Sequence, residues 1–247
     1  MINKNTLLNF LFPQKCPVCR TIIKLGEEGT TPMCPVCRLK WTYEKQKLCS
    51  ECGLPAYLCT CMPSKMKKAG ASDLLKLCFY ESNSGSAADR LVIYMKDYRD
   101  RRVFRYVAHE LCVHLKKYLD DNSIDATNIV ITFSPRSLSM LEKRGFDQAR
   151  QLARACADEL GAYFSDAIRR RSFSKKQKGL TVADRALNAK KSFALRKGAD
   201  LTDKTVILID DVVTTGSSFA ECTRLLVSAG AHRVICLAVA KSNGKKL

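Results

Sequence analysis

The chain has 247 residues, 46% of them hydrophobic, which allows one large or two small domains with a buried core. No run approaches the ~20 consecutive apolar residues that a membrane-spanning helix needs, so we expect no transmembrane segment. The formal net charge of +18 suits anionic ligands or partners: phosphorylated metabolites, nucleic acid or acidic membrane surfaces.

The N-terminal region holds most of the cysteines, because eight of the 13 lie between Cys16 and Cys61. Before them, an apolar stretch at residues 7–12 is interrupted by Asn9 and lacks a small-residue cleavage site, so we expect a short helix and no signal peptide. Closely spaced cysteine pairs at one end of a long chain, with single thiols elsewhere, indicate metal binding in a reducing compartment. We therefore predict a cytoplasmic protein.

The spacing of these cysteines predicts two zinc sites. Cys-Pro-Val-Cys occurs twice with a 14-residue spacer, and this C-x2-C…C-x2-C pattern is typical of a tetrahedral zinc site. A C-x2-C pair and a C-x-C pair follow and predict a second site. The predicted ligands are Cys16, Cys19, Cys34 and Cys37, then Cys49, Cys52, Cys59 and Cys61. The spacing also allows interleaved ligation, with the first and third pairs sharing one metal.

Four thiolates leave no open coordination position, so we interpret both zinc sites as structural. A nucleic-acid-binding ribbon is the alternative, although few aromatic residues are interleaved for base stacking. The basic residues that would serve it are Arg20, Lys24, Arg38, Lys40, Lys45 and Lys47. We predict a double zinc ribbon over residues 1–67 and a second domain over residues 68–247, joined by a linker near residues 65–70.

Strands and helices alternate through the second domain. Short apolar runs predict strands at 74–80, 129–133, 206–209 and 234–240, and helical periodicity predicts helices at 87–95, 102–119, 148–160 and from about Ser217 to Gly230. This alternation predicts an α/β fold with a doubly wound parallel sheet.

Two acids and a hydroxyl-rich turn follow the strand at 206–209. Asp210 and Asp211 stand at its carboxyl end, where open α/β sheets place their ligand crevice. The turn combines hydroxyls, a glycine and a helix N-terminus, which are the parts of a phosphate-binding loop. It consists of Thr214, Thr215, Gly216, Ser217 and Ser218. The acids suit a diol, such as ribose hydroxyls, or a Mg²⁺ ion carried with the phosphates.

Two further basic segments suit a polyanionic ligand. Ser134, Pro135, Arg136 and Ser137 follow the strand at 129–133, and their position past a strand end suits a diphosphate, with a solvated basic loop as the alternative. Residues 169–197 contain eleven Lys or Arg and one acid. This segment is interpreted either as a solvated face or as a flap over the ligand.

The strand, the two acids and the Thr-Thr-Gly turn resemble the 5-phosphoribosyl-1-diphosphate (PRPP) motif of type I phosphoribosyltransferases. With the cysteine ribbon, the basic turn at residues 96–99 and Arg-Gly-Phe-Asp-Gln at residues 144–148, the whole order of motifs resembles the ComF family. That resemblance implies a double zinc ribbon followed by a type I phosphoribosyltransferase-like sheet, with structural zinc and with Mg²⁺ accompanying PRPP.

The resemblance also implies roles for individual residues. Asp210 and Asp211 are the expected catalytic pair at the ribose hydroxyls, and residues 214–218 are expected to bind the 5-phosphate. Ser134, Pro135, Arg136 and Ser137 would face the diphosphate, and Arg144 belongs to the PRPP site. Gln177, Arg185 and Asn188 match a further family element. The chain departs from the family pattern at Asp147, at residues 132–135 and at Ser217-Ser218.

Two functions follow from this resemblance. One is an enzyme that transfers a phosphoribosyl group from PRPP to an unknown acceptor. The other is a non-catalytic protein that binds PRPP, or another phosphorylated sugar or nucleotide, and acts in competence-type DNA uptake by contacting single-stranded DNA or a helicase partner. The sequence alone does not decide between them, since a grafted site does not guarantee turnover.

Overall fold

A five-stranded parallel sheet forms the centre of the computed structural model, which describes residues 13–23, 31–171 and 192–242. The strands in chain order are β1 (Asp73–Tyr80), β2 (Ile129–Phe133), β3 (Tyr163–Phe164), β6 (Thr205–Val213) and β7 (Arg233–Ser242), while β4 (Ile168–Arg170) and β5 (Phe193–Leu195) form a separate antiparallel pair. The order across the sheet is β1-β7-β6-β2-β3, and every neighbouring pair is parallel. The predicted parallel α/β sheet is therefore confirmed.

Seven α-helices surround or precede this sheet in the described residues. They are α1 (Pro35–Lys45), α2 (Ser64–Lys67), α3 (Ala87–Asp97), α4 (Arg101–Asp121), α5 (Leu138–Arg144), α6 (Gln148–Leu160) and α7 (Ser217–Ser228). Side-chain caps fix several helix starts: the Asp147 carboxylate, for example, accepts the backbone N–H of Arg150 at the start of α6. Gly161 ends α6 in the left-handed conformation, which glycine adopts without steric cost.

The two faces of the sheet pack into two separate hydrophobic clusters. Alternate strand residues such as Ile207 and Leu208 enter opposite clusters, since successive strand side chains point to opposite faces. The first cluster joins the sheet to α3, α4 and α6, and the second joins it to α7 through Phe219 and Leu226. None of the described helices combines the length and apolar character that crossing a membrane requires.

The zinc-ribbon region packs directly on the sheet domain. Trp41 of α1 is fully buried in the first cluster, and its indole N–H donates to the Glu110 carboxylate of α4 at 2.7 Å. Lys45 and Tyr106 donate to the same carboxylate at 2.7 and 2.8 Å. The cysteine-rich region thus shares a core with the helices of the larger domain.

The structure differs from the sequence prediction in three places. Residues 65–70, predicted as a linker, instead include α2, whose Met66 is fully buried. No helix was predicted at residues 138–144, where α5 forms, and β6 continues through both acids to Val213 because Val212 and Val213 still pair with β7. The expected N-terminal helix at residues 7–12 and the central part of the proposed flap, with Gln177, Arg185 and Asn188, lie outside the described residues.

Candidate ligand site and zinc clusters

The carboxyl end of β2 lies beside β6 just before its two acids, at the edge of the sheet where the ligand crevice was predicted. Phe133 pairs with Ile209, and the backbone N–H of Ser134 donates to the Ile209 carbonyl at 2.9 Å. Ser134 therefore stands beside Asp210, at the point where β2 ends and β6 continues. This register brings the loop predicted for the diphosphate next to the acids predicted for the ribose.

The two acids of β6 face different neighbours. Asp210 is partly exposed and lines a cavity of about 50 Å³ together with the hydroxyl loop, residues 214–218. Asp211 is buried, and its Oδ2 accepts from Gln148 Nε2 at 3.0 Å and lies 3.7 Å from Lys96 Nζ. Although Asp210 keeps some exposed surface, the protein around its carboxyl group displaces water, and this desolvation, followed by the charge of Asp211, raises the pKa of Asp210 well above its ordinary value.

The hydroxyl loop has the geometry of an anion cradle at a helix start. Gly216 adopts a left-handed conformation with φ of 73° immediately before α7, and the first free N–H groups of that helix follow it. The hydroxyl oxygens of Thr215 and Ser217 lie 3.0 Å apart and supply further hydrogen-bonding groups. The loop can therefore receive a phosphate with backbone and hydroxyl donors.

Two separated basic motifs meet next to the acids. Lys96, from the basic turn, reaches Asp211 from α3, and its neighbour Asp97 forms an ion pair with Arg144 of α5. Gln148, from the second motif, reaches Asp211 from α6. The structure thus brings together the two motifs on which the family resemblance rests.

The loop of residues 134–137 is tied to α6 by Asp147. The Asp147 carboxylate accepts the backbone N–H of Arg136 at 2.8 Å while it caps α6. Burial raises the pKa of this carboxyl, and the N–H groups it accepts oppose that shift. Asp147, which stands where the family usually has Asn, therefore has a structural role in holding this loop.

Buried polar atoms without partners collect among the residues of this site. Within the described part of the chain, Arg136 Nη1, Arg144 Nε and Gln148 Oε1 are buried and lack a hydrogen bond. A buried polar atom without a partner costs free energy, so such atoms commonly mark the place of a polar ligand or water.

The first predicted set of cysteines forms a cluster that fits zinc. The Sγ atoms of Cys16, Cys19, Cys34 and Cys37 all lie within 4.8 Å of one another. Cys19 Sγ and Cys34 Sγ are 3.7 Å apart, which matches the about 3.8 Å between thiolates on one tetrahedral Zn²⁺. The first and second pairs share this site, so the interleaved alternative does not apply.

The second predicted set of cysteines also forms a cluster that fits zinc. The Sγ atoms of Cys49, Cys52, Cys59 and Cys61 lie within 4.8 Å of one another. Burial and neighbouring thiols raise the pKa of Cys61 to about 12, so a cation is needed to keep this sulfur ionised. Both clusters offer four sulfurs and agree with structural zinc.

A buried lysine of the sheet contacts the second cluster. Lys76 on β1 has no exposed surface, and its Nζ donates to the Cys59 carbonyl at 2.5 Å and lies 3.4 Å from the Cys61 carbonyl. Sequence reasoning missed this residue because a lysine inside an apolar strand reads only as an interruption of the strand pattern. Lys96 was missed as a site residue for a different reason, because it reaches Asp211 from another element.

The basic residues proposed for a nucleic-acid-binding ribbon are partly engaged within the protein. The Arg20 guanidinium lies 4.7 Å from the ring centre of Tyr98 and 5.2 Å from that of Tyr94. Lys45 pairs with Glu110, and Lys47 pairs with Glu44. Lys24 lies outside the described residues. Because three of its basic side chains are engaged within the protein, the ribbon offers fewer free cations to DNA than its sequence indicated.

Arginines are concentrated instead along α4, α6 and the small β4-β5 sheet. A cavity of about 760 Å³ is lined by Arg99, Arg101, Arg105 and Arg154, together with the acids Asp158 and Glu159. An adjoining cavity of about 440 Å³ shares Arg99, and its charged lining residues are Arg136, Arg150, Arg169, Arg170 and Arg196 together with the acids Asp147 and Asp166. Arg154 also lies 4.4 Å from the ring centre of Phe164. This end of the sheet is strongly cationic.

Comparison with protein families agrees with this architecture. A phosphoribosyl transferase domain matches residues 141–247, and a double zinc ribbon domain matches residues 7–73. Among solved structures, a purine phosphoribosyltransferase from Pyrococcus horikoshii has 16% identity and a TM-score of 0.34, covering 57% of this chain and 77% of that one. The fold, the cysteine clusters and the domain matches define a zinc-ribbon protein with a phosphoribosyltransferase-type domain.

Within that class, the relatives agree with the resemblance to the ComF family. The chain is 26% identical to the DNA utilization protein YhgH of Escherichia coli (strain K12) over 226 residues, which covers 90% of this chain and 94% of that protein. Competence protein F of Haemophilus influenzae is 31% identical over 94 residues, covering 37% of this chain and 41% of that protein. The similarity to YhgH therefore includes both the ribbon and the larger domain.

Proposed function

We propose that the crevice at the ends of β2 and β6 binds PRPP together with Mg²⁺. PRPP carries a phosphate at one end of its ribose and a diphosphate at the other, so it needs two anion sites separated by a diol-binding group. Residues 214–218 suit the 5-phosphate and residues 134–137 suit the diphosphate, while Asp210 lines the cavity of the first loop and follows Ile209, whose carbonyl accepts from Ser134 of the second. The juxtaposition of these two loops through the Phe133 and Ile209 register is the observation that carries the proposal.

The chain's own residues suit the charges of this ligand. Arg136 offers a buried guanidinium nitrogen without a partner, and Gln148 and Lys96 hold Asp211 in place behind the site. Mg²⁺ is usually held by one or two carboxylates and the oxygens of its phosphate ligand, and Asp210 suits this pattern. When bound, Mg²⁺ would neutralise charge on the diphosphate.

Phosphoribosyl transfer is the reaction that this arrangement would support. Loss of diphosphate builds positive charge at the anomeric carbon, and basic groups such as Arg136 would stabilise the leaving diphosphate. Catalysis of this kind depends mainly on positioning and electrostatics. The acceptor is unassigned, so release of pyrophosphate in the presence of a panel of bases and amines is the test for turnover.

PRPP binding is tested by calorimetry on the full zinc-loaded chain with Mg²⁺. We expect Asp210→Asn to weaken PRPP binding by about tenfold, because it removes a charged ligand group worth more than a neutral hydrogen bond. Asp120→Asn, an exposed acid at the end of α4, is the matched control and should bind as the wild type does. A wild-type protein that shows no binding of PRPP with Mg²⁺ would refute the proposal.

Single-stranded DNA is a second proposed ligand, and a different observation favours it. The cavity lined by Arg99, Arg101 and Arg105 offers cationic side chains beside an aromatic residue, and two relatives carry names that refer to DNA utilization or competence. Phosphate contacts by Arg supply most of the affinity of such sites for single strands, and the arginines carry this proposal because Phe104 is buried and Arg154 covers the ring of Phe164. In this reading the protein acts in DNA uptake beside a helicase-type partner, in a reducing, cytoplasmic setting.

The DNA proposal is tested by the salt dependence of oligonucleotide binding, followed by fluorescence anisotropy. We expect Arg101→Ala and Arg105→Ala each to weaken binding and to reduce the slope against log salt by about one. Arg224→Ala on α7, an exposed arginine outside the cavity, should leave the slope unchanged. If all three variants show the same slope of affinity against log salt, DNA does not bind in this cavity.

A further inference from the structure

The short helix α2 lies against the hydroxyl loop, although it belongs to the segment that leaves the zinc ribbon. Met66 of α2 is fully buried against this loop. A Cβ atom added to Gly216 would lie 2.8 Å from Met66 Sδ and 3.0 Å from Pro63 Cγ. A side chain at position 216 would force Met66 and Pro63 to shift and would strain a backbone with φ of 73°, so glycine here favours the close packing of α2.

The hydroxyl loop lacks a basic residue in its own wall. Its cavity is lined by Asp210 and by residues 212–219, which include no lysine or arginine. A phosphate held there would meet N–H groups and hydroxyls, but also the carboxyl of Asp210. A second group from outside the loop is therefore needed to balance the phosphate charge.

Lys65 of α2 brings such a charge to the loop. Its ammonium donates to the hydroxyl of Ser217 at 3.1 Å, and the Ser217 hydroxyl lies 3.0 Å from that of Thr215. A lysine ammonium has three N–H donors, and the contact with Ser217 uses one of them. The Lys65 side chain is exposed, so its remaining donors can turn toward an anion in the loop.

We propose that Lys65 is a ligand-binding residue that contacts the 5-phosphate, an inference that rests on the proposed binding of PRPP. The ligand class is any sugar phosphate whose phosphate enters the loop of residues 214–218. The phosphate site is then composite, with N–H groups and hydroxyls from the sheet domain and a cation from the segment after the ribbon. No residue of β6 or α7 supplies that cation among the lining residues.

The second zinc cluster sets the position of Lys65. Only Met62, Pro63 and Ser64 separate this lysine from the ligand Cys61, and Met62 is buried. Folding of the cluster around zinc therefore fixes where α2 begins. The ribbon in this way completes a ligand site whose other groups belong to the larger domain.

The test compares Lys65→Met with Lys68→Met, an exposed lysine at the end of the same helix, in the full zinc-loaded chain. The probes are PRPP with Mg²⁺, ribose 5-phosphate and inorganic pyrophosphate, measured by calorimetry. We expect Lys65→Met to weaken PRPP and ribose 5-phosphate about tenfold and to leave pyrophosphate unchanged, because only the first two carry a 5-phosphate. Lys65→Arg should recover part of the loss, and Lys68→Met should bind all three probes as the wild type does.

The outcomes distinguish the inference about Lys65 from the proposal that the crevice binds PRPP. If the wild type binds PRPP and Lys65→Met binds PRPP and ribose 5-phosphate equally well, the role of Lys65 is refuted and the PRPP site stands. Equal weakening of all three probes, pyrophosphate included, would also refute a specific 5-phosphate contact. If the wild type binds none of the probes, the proposed function itself fails. Unchanged thermal unfolding of Lys65→Met establishes that any loss of affinity is local.

Discussion

At the residue scale, the two adjacent acids of β6 have different surroundings and therefore different expected roles. Asp211 is neutralised by Lys96 and held by Gln148, so it is suited to orient the site from behind. Asp210 is on the cavity, and its Oδ1 accepts the backbone N–H of Asp211 at 2.8 Å. Sequence reasoning treated the pair as one unit, but the alternation of a strand separates them.

The raised pKa of Asp210 predicts that ligand binding releases a proton. Asp211 on the same strand, Ser134 after β2, Cys222 on α7 and Cys236 on β7 face this carboxyl. Desolvation and the charge of Asp211 keep Asp210 protonated at pH values above the ordinary pKa of a carboxyl group. A bound Mg²⁺ that requires the carboxylate would therefore have to displace that proton. Affinity for PRPP with Mg²⁺ should therefore rise with pH up to the raised pKa and then level off.

Calorimetry in two buffers of different ionisation enthalpy measures this release. We expect up to about one proton per ligand below the raised pKa, decreasing to none above it. Asp210→Asn should abolish both the release and the pH dependence, whereas Asp120→Asn should retain both. A wild type whose affinity falls as the pH rises through this range would contradict the assignment.

At the element scale, β1 and the second zinc cluster depend on each other through Lys76. A zinc ion with four thiolates carries a charge of about −2, and the Lys76 ammonium lies against the backbone of two of the ligands. Burial lowers the pKa of Lys76, and the charge of Cys59 opposes that shift only in part. The lysine can remain charged inside the protein because the cluster is its counterion.

Replacing Lys76 by Met tests this dependence, since Met keeps the apolar stem and removes the charge. We expect the free energy of unfolding to fall by about 1–3 kcal/mol, because buried carbonyls lose their donor. Zinc should also leave the second cluster faster, measured with a chromophoric chelator. Lys40→Met, an exposed lysine of α1, is the control. If Lys76→Met retains both zinc ions at the wild-type rate, the lysine has no role in holding the cluster.

At the scale of the whole molecule, the ribbon and the sheet form one packed body. Trp41 and Met33 of the ribbon lie in the same hydrophobic cluster as Leu91 of α3 and Val107 of α4. The second cluster of cysteines packs on Phe79 of β1. The ribbon thus meets the larger domain at three places: through Trp41 at Glu110, through Lys76 at the cysteines, and through α2 at the hydroxyl loop. This arrangement places it where it can contribute to ligand binding.

The sequence by itself determined the features that depend on local spacing. The strands at 129–133 and 206–209 follow from short apolar runs, and the helix at 148–160 follows from a period of 3.6 residues. The cysteine pairs and the hydroxyl loop follow from short spacings of particular residue types, so all of these are properties of neighbouring residues. For the same reason, the parallel α/β fold and the two cysteine clusters could be predicted before any tertiary contact was known.

Only the tertiary structure decided which distant residues meet. Lys65 reaches Ser217 across 152 positions, and Trp41 reaches Glu110 across 69. The pairing of the cysteines, the burial of Lys76 and the separation of Asp210 from Asp211 likewise depend on how the elements pack. Contacts between residues far apart in the chain leave no periodic signal in the sequence, because they are set by the packing of whole faces and not by the identity of neighbouring residues.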